Sequence, residues 1–221
     1  MSDDRLGMIE KGLRTGPVLR VVNYHRTPAR QAEQYEREFA LYAEHFSPVL
    51  ESDLDHYLTT GAWTKPQPGL ILAFYDGSRS NYDVARPLLE RHGLVGWFFV
   101  VTGFVGTPDV AAFAARHRIR LSSPDEESPA LSWDEVAHLA ENHVVASHTR
   151  GHTTALAEPD EDLESEIVGS QEDFRRGIGR PVSALAWRGG APLGRHPQAD
   201  AQVRRAGYRF VFSNLRVQRV P

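Results

Sequence analysis

Three short stretches of this chain carry residue types that do chemistry: Phe74-Tyr75-Asp76-Gly77, His148-Thr149-Arg150-Gly151-His152 and Trp187-Arg188-Gly189-Gly190. Each follows an apolar run of strand character. In a β/α barrel the C-terminal strand ends share one face with the active site, so all three can converge. His148 and His152 are four apart. If a helical turn follows the strand, their Cβ atoms lie roughly 5–6 Å apart on one face. A carboxylate from another strand then completes a two-histidine, one-carboxylate face with positions open for water and substrate. The spacing alone is not specific, because ten histidines in one chain produce it by chance. The pair also reads as a surface pair after a strand, and Asp76-Gly77 as a turn that closes a strand end.

The elements needed to position these residues are legible as short apolar runs alternating with amphipathic stretches, the pattern of an α/β fold with a mainly parallel sheet. Strands are expected over Val18–His25, Gly69–Tyr75, Leu94–Thr102, His143–His148, Ala184–Arg188 and Arg209–Ser213, with a short one near Pro48–Leu50. Runs such as Leu70-Ile71-Leu72-Ala73-Phe74 are apolar at consecutive positions, as strands buried on both faces must be. Helices are expected to begin near Ala32, Asn81, Pro108, Ser132, Asp160 and His196. Tyr35, Phe39, Tyr42 and Phe46 follow helical spacing, and Ser132 with Glu135 forms a capping box. The polar segment Ser122–Ala130 reads as a loop. The acidic run Glu158–Glu166 reads as a solvated helix start that complements the helix dipole.

The 221 residues suffice for one core and are read as a single domain over 1–221, with an N-terminal strand-and-helix piece (1–68) and a motif-bearing part (69–221). The formal charge of −4 and the scattered basic residues argue against nucleic-acid binding. With no cysteine, any metal must be held by His, Asp or Glu. No apolar stretch approaches the ~20 residues of a membrane span. The N-terminus lacks a signal-peptide pattern, so the expectation is a cytoplasmic protein, or a secreted one if a leader has been trimmed away.

The motifs resemble those of the polysaccharide deacetylase (NodB-like) family. Residues 70–107 are similar to its first motif region, Thr-Phe-Asp-Asp-Gly followed by a helix and an Ala-Thr-Phe-Phe strand; the counterparts are Ala73-Phe74-Tyr75-Asp76-Gly77 and Gly96-Trp97-Phe98-Phe99. Residues 131–154 resemble the second, with Leu131-Ser132-Trp133 and the His148–His152 segment. Residues 180–211 resemble the third, through Gly179-Arg180-Pro181, Arg188 and Ala206-Gly207-Tyr208-Arg209. Val22-Asn23-Tyr24-His25-Arg26 is similar to the opening of the subgroup acting on exopolysaccharides. The resemblance implies a distorted (β/α) barrel with about seven mainly parallel strands. It implies a divalent ion, Zn2+ or alternatively Co2+, Ni2+ or Mn2+, on Asp76, His148 and His152, and hydrolysis of an N- or O-acetyl group on a sugar. The metal would polarise the acetyl carbonyl and lower the pKa of bound water. A backbone N–H after Asp76, at Gly77, would help to hold the oxyanion.

Three positions depart from the family pattern. Its catalytic base is an Asp where this chain has Tyr75, and a phenol with pKa near 10 is a poor base at neutral pH. Tyr75 is read as a filler or substrate contact. Arg188, which in the family orients that base, remains, but the residues after it are Gly189-Gly190-Ala191-Pro192. No Leu-x-His segment supplies a general acid. His25 is the candidate in its place, or else a structural histidine bonded to a backbone carbonyl. Trp187 is a strand-end aromatic that either stacks on a sugar or packs in the core. Two alternatives follow: a metal- and carbohydrate-binding member with little turnover, or a hydrolase of a small non-sugar amide.

Overall fold

The computed structural model describes residues 18–121, 129–156, 162–214 and 216–221. Its sheet runs in the order β1 (Leu19–Tyr24), β3 (Gly69–Phe74), β4 (Gly96–Val100), β5 (Val144–Ser147), β6 (Ala184–Ala186), β7 (Phe210–Phe212) and β8 (Val217–Arg219). All neighbours are parallel except β7 and β8. The short β2 (Ser47–Pro48) pairs with Gly69 and Leu70, ahead of the point where β4 joins β3 at Leu72. The sheet curls into a partial barrel, the distorted (β/α) barrel expected from the sequence.

The consecutive apolar runs are explained by two cores, one on each face of the sheet. Leu70, Leu72, Phe74, Phe98, Val100, Val145, Leu185 and Val211 face the helices. Ile71, Ala73, Trp97, Phe99, Ala146, Ala186, Phe210 and Phe212 face inward. The inner residues interlock as rings: Phe212 lies 5.2 Å from Trp97 and 4.8 Å from Phe99 between centroids. The indole N–H of Trp97 reaches the Val49 carbonyl at 2.8 Å, so even this buried ring leaves no donor unpaired. Strand alternation thus assigns each residue to one of two dry layers.

The helices cover the outer face, except that one of them packs into the inner core through Leu54. They are α1 (Ala32–His45), α2 (Glu51–Thr60), α3 (Arg86–Arg91), α4 (Val110–Arg116), α5 (Trp133–Asn142), α6 (Leu163–Ile178) and α7 (Pro197–Arg205). In α1 the predicted stripe of Tyr35, Phe39 and Tyr42 is buried. The Ser132–Glu135 capping box forms, each side chain reaching the other residue's backbone N–H.

Helix α2 was not expected. Among its residues only Leu54 is buried, so it carries no apolar stripe to read. Strand β8 was also missed: unlike the equally short β6 and β7 it has no buried residue, so no apolar run marks it. The helix expected at Asn81 opens as a π-helical turn over Asn81–Ala85, with the Arg86 N–H bonded to the Asn81 carbonyl. Pro87 accounts for this locally: it has no N–H to give to the Asp83 carbonyl, so regular α-bonding cannot pass through it. Most of Ser122–Ala130, and Asp160 within the expected sixth helix, lie outside the described residues. The described part of that helix starts at Leu163, with Asp162 capping the Glu164 N–H.

His143, between α5 and β5, sits against the Phe98 ring with its side chain 1% exposed. Its Nδ1 accepts from the Gly96 N–H at 3.3 Å, which requires the neutral ring. Burial pushes its pKa down to about 4. The unfolded chain therefore takes up this proton first. His143 contributes stability that is complete above pH ~6.5 and is lost as pH falls toward 4, at most about 3 kcal/mol. Urea unfolding at pH 7, 5 and 4 should show this loss, and His143→Leu should remove about one proton from the slope. An unchanged slope in that variant would contradict the assignment.

Candidate metal centre and cleft

Because the strands before them are parallel, His25, Asp76, His148, Arg188 and Asn214 all emerge on one end of the sheet, after β1, β3, β5, β6 and β7. There they meet. The Nε2 atoms of His148 and His152 lie 3.7 and 3.6 Å from Asp76 Oδ1. One ligand atom from each of the three buried side chains lies within 4.8 Å of the others.

The orientation of the two rings is informative. His148 Nδ1 is 2.7 Å from the Ala186 carbonyl, and His152 Nδ1 is 2.8 Å from the His117 carbonyl. A carbonyl only accepts, so both protons reside on Nδ1 and both Nε2 lone pairs point toward Asp76. Oδ1 of Asp76 is buried and has no hydrogen-bond partner among the described residues. Two lone pairs and a carboxylate oxygen facing one another repel unless a cation sits among them. The donor set N2O is one that zinc and related divalent ions accept. Burial, and then the field of His152, push His148 down to about 4, and burial also lowers His152. Both rings are thus neutral, as a ligand must be, through the physiological range. Burial alone would raise the Asp76 pKa, but the His25 hydrogen bond and the fields of His148 and His152 outweigh it and hold the acid below its usual range.

The chain reaches this geometry without the helical turn expected between the histidines. Residues 148–152 form an irregular turn in which Thr149 (φ 67°) and His152 (φ 58°) take left-handed conformations. All four described non-glycine residues with positive φ, Asp76, Arg118, Thr149 and His152, lie at this end of the sheet. Such conformations cost roughly 1–3 kcal/mol each and persist only where the surroundings hold them. Here Arg150 is the anchor. Its guanidinium grips Asp173 of α6 with Nε and Nη2 at 2.8 and 3.0 Å and donates to the Gly169 carbonyl at 2.7 Å. Asp173 also accepts from Thr102 Oγ1 at 2.7 Å, while the Thr102 and Gly103 N–H groups hold the Thr149 and Arg150 carbonyls. Asn81, fully buried, donates to the carbonyls of His25 and Tyr75. None of these holding residues was singled out from sequence, since the partners lie far apart along the chain.

The other expected site residues fall as follows. His25 is 63% exposed and its Nδ1 lies 3.1 Å from Asp76 Oδ2, which raises its pKa. Tyr75 stacks on Phe99 at 4.9 Å and meets the His148 ring edge-on at 5.1 Å, capping the aromatic column inside the barrel. Burial, and then the charge of Asp76, hold its phenol well above the usual value. Arg188 donates Nε to the His152 carbonyl at 2.7 Å. Trp187 is 3% exposed and packs in the helix-facing core, yet borders the cleft. Gly77 turns the chain at φ 81° with Val100 beside it and is not among the residues bordering the cleft. Gly190 (φ 67°) lies so close to Asn214 that a Cβ would stand 2.5 Å from its side chain, which explains a glycine after Arg188. The cleft, of about 370 Å³, is bordered by Asn23, Tyr75, Arg118, Arg188 and Asn214 together with the histidines.

Comparison with solved structures places the fold among deacetylases. IcaB from Ammonifex degensii superposes with a TM-score of 0.68 at 21% identity, covering 92% of this chain and 86% of that one. A de-N-acetylase from Aggregatibacter actinomycetemcomitans gives 0.66 at 18% identity, covering 91% and 90%. Streptococcus pyogenes deacetylase PplD, in complex with acetate, gives 0.62 at 14%, covering 86% and 79%. Comparison with curated protein sequences finds no match. The family model described as polysaccharide deacetylase matches residues 63–211, about two thirds of the chain, a span that holds Asp76, both histidines and Arg188. On that match the chain belongs to the polysaccharide deacetylase family, hydrolases that remove acetyl groups from carbohydrates.

Proposed function

We propose that this chain hydrolyses the acetyl group of an N- or O-acetylated sugar with a divalent ion, most simply Zn2+, held by Asp76, His148 and His152. The observation that carries this reading is the pair of Nε2 lone pairs aimed at a buried carboxylate oxygen that has no hydrogen-bond partner among the described residues. A bound ion supplies Lewis acidity and lowers the pKa of a water. The chain's own residues do the rest. The His25 Nδ1–H steadies Asp76 through Oδ2, leaving Oδ1 for the ion. The carbonyls of Ala186 and His117 keep the ligand rings in the required tautomer. Arg188, through the His152 carbonyl, ties that ligand to the wall of the cleft.

Tyr75 favours a second reading, a member that binds metal and sugar with little turnover. Its proton is held more tightly than that of an ordinary phenol, and losing a general base costs about 10²–10⁴ in rate. Acetate release from acetylated chito-oligosaccharides by the zinc- or cobalt-loaded protein decides between them. Release that stops on chelation and returns with added metal supports the first reading. Sugar binding without release supports the second, and metal-independent release contradicts the role of the ion.

A further inference from the structure

We propose that helix α6 sets how tightly the site holds its ion: a polar seam on the buried side of the helix fixes the turn between His148 and His152, with Asp173 and Gly169 as positioning residues. This rests on the proposed ligand set of Asp76, His148 and His152. Two observations carry it independently.

The first is the composition of the seam. A helix packed on a sheet ordinarily buries an apolar stripe. Helix α6 does so with Ile167 and Phe174, but it also buries Gly169 and Ser170, and the Asp173 side chain is only 12% exposed. Glu166, Gly169, Ser170 and Asp173 follow helical spacing and share one side of the helix. The Glu166 carbonyl accepts the Arg150 N–H at 3.1 Å, and its carboxylate accepts the Gly151 N–H at 2.6 Å. Ser170 Oγ lies 3.0 Å from Ser147 Oγ, which accepts the Thr149 N–H at 3.1 Å. The N–H groups of Thr149, Arg150 and Gly151, all between the two histidines, are thus held, two of them by α6 directly.

The second is the fit of Arg150 into the seam. Its guanidinium crosses Gly169 so closely that a Cβ there would stand 2.3 Å from the guanidinium carbon. Past the glycine it takes Asp173 in a two-point grip, and Nη1 donates to Ser165 Oγ at 3.0 Å. Glycine inside a helix costs stability relative to alanine. A glycine at 169 therefore serves the passage of this side chain, not the helix that carries it. Arg150 stands midway between the two proposed ligands, so what fixes Arg150 fixes the separation of their rings. Partners of this outer kind are commonly worth about 10- to 100-fold in metal affinity.

The test is the zinc affinity of the full chain, measured by competition with a chromophoric chelator at fixed pH, beside the urea midpoint of the zinc-free protein. Asp173→Asn and Gly169→Ala should each weaken zinc binding by about 10- to 100-fold. Gly169→Ala separates positioning from folding: alanine favours the helix, and the guanidinium is the mobile end of a long side chain, so the fold can yield there while the grip is lost. Arg150→Gln combined with Asp173→Asn should bind zinc within about threefold of Arg150→Gln alone, because both remove one link. Asp55→Asn is the control. Asp55 pairs with Arg209 and Arg219 at the opposite end of the sheet, so this variant should keep its zinc affinity whatever it does to the urea midpoint. An affinity within about threefold of the natural chain in folded Asp173→Asn or folded Gly169→Ala overturns the proposal, as does an equal loss in Asp55→Asn. A natural chain that takes up no zinc refutes the ligand set and the seam with it, whereas zinc bound with unaltered affinity in these variants refutes the seam alone.

Discussion

His148→Ala should abolish stoichiometric binding of divalent metal and lower acetate release by a factor on the order of 10³ or more. One of three proposed ligands would be lost, and an ion acting there as Lewis acid would supply several kcal/mol to the transition state. His152→Ala and Asp76→Ala should do the same, because each contributes one of three mutually facing ligand atoms. The folded chain should survive. Removing the His148 ring frees the Ala186 carbonyl from its Nδ1–H partner, a cost of about 1–3 kcal/mol. Part of this is returned, since a carboxylate and two lone pairs no longer confront each other. His143 is the control: it is equally buried and has a similarly lowered pKa, but lies away from this end of the sheet, so His143→Leu should keep its metal. Metal content after dialysis, read by elemental mass spectrometry beside the unfolding midpoint, separates lost ligation from lost folding. A His148→Ala protein that retains one tightly bound ion would show that the three side chains are not the ligand set.

The second large effect is a gain. Tyr75→Asp should raise the rate of acetate release by about 10²–10⁴ over the natural chain. The position lies directly after β3 beside Asp76, His148 and the cleft, where a carboxylate would stand next to the proposed ligands. The change has a structural cost. The Tyr75 ring caps the column formed by Phe99, Phe212 and Trp97, and replacing a packed aromatic with a smaller charged group should lower stability by about 3–5 kcal/mol. Tyr75→Phe isolates the hydroxyl. If the ring is only a filler, Tyr75→Phe changes the rate far less than Tyr75→Asp. If Tyr75→Phe is dead while the natural chain is active, the phenol itself takes part and the vacant-base interpretation is wrong. Rates and urea midpoints for all three proteins are the measurements needed.

What could be read in the sequence was whatever the sheet dictates locally. Doubly buried strands need consecutive apolar residues, so β3 through β7 were visible as runs. Parallel strands put their C-terminal ends on one face, so Asp76, His148 and Arg188 were expected to meet. The family motifs named the three proposed ligands for the same reason: their order and spacing repeat a known pattern. A helix without an apolar stripe, α2, and an edge strand without a buried residue, β8, carry no apolar signal and were not seen.

Only the tertiary structure decided the conformations and tautomers on which the chemistry depends. The turn from His148 to His152 is left-handed at two residues and held open by Arg150 on Asp173, which lie 23 positions apart. The Nδ1 protons are set by the carbonyls of Ala186 and His117, 38 and 35 positions away from the rings they bind. These are hydrogen bonds between atoms remote in sequence, and most of the groups that accept them are backbone carbonyls, which every residue possesses. Residue identity therefore leaves no mark of them, and the site's chemical sense emerges only when the chain has closed.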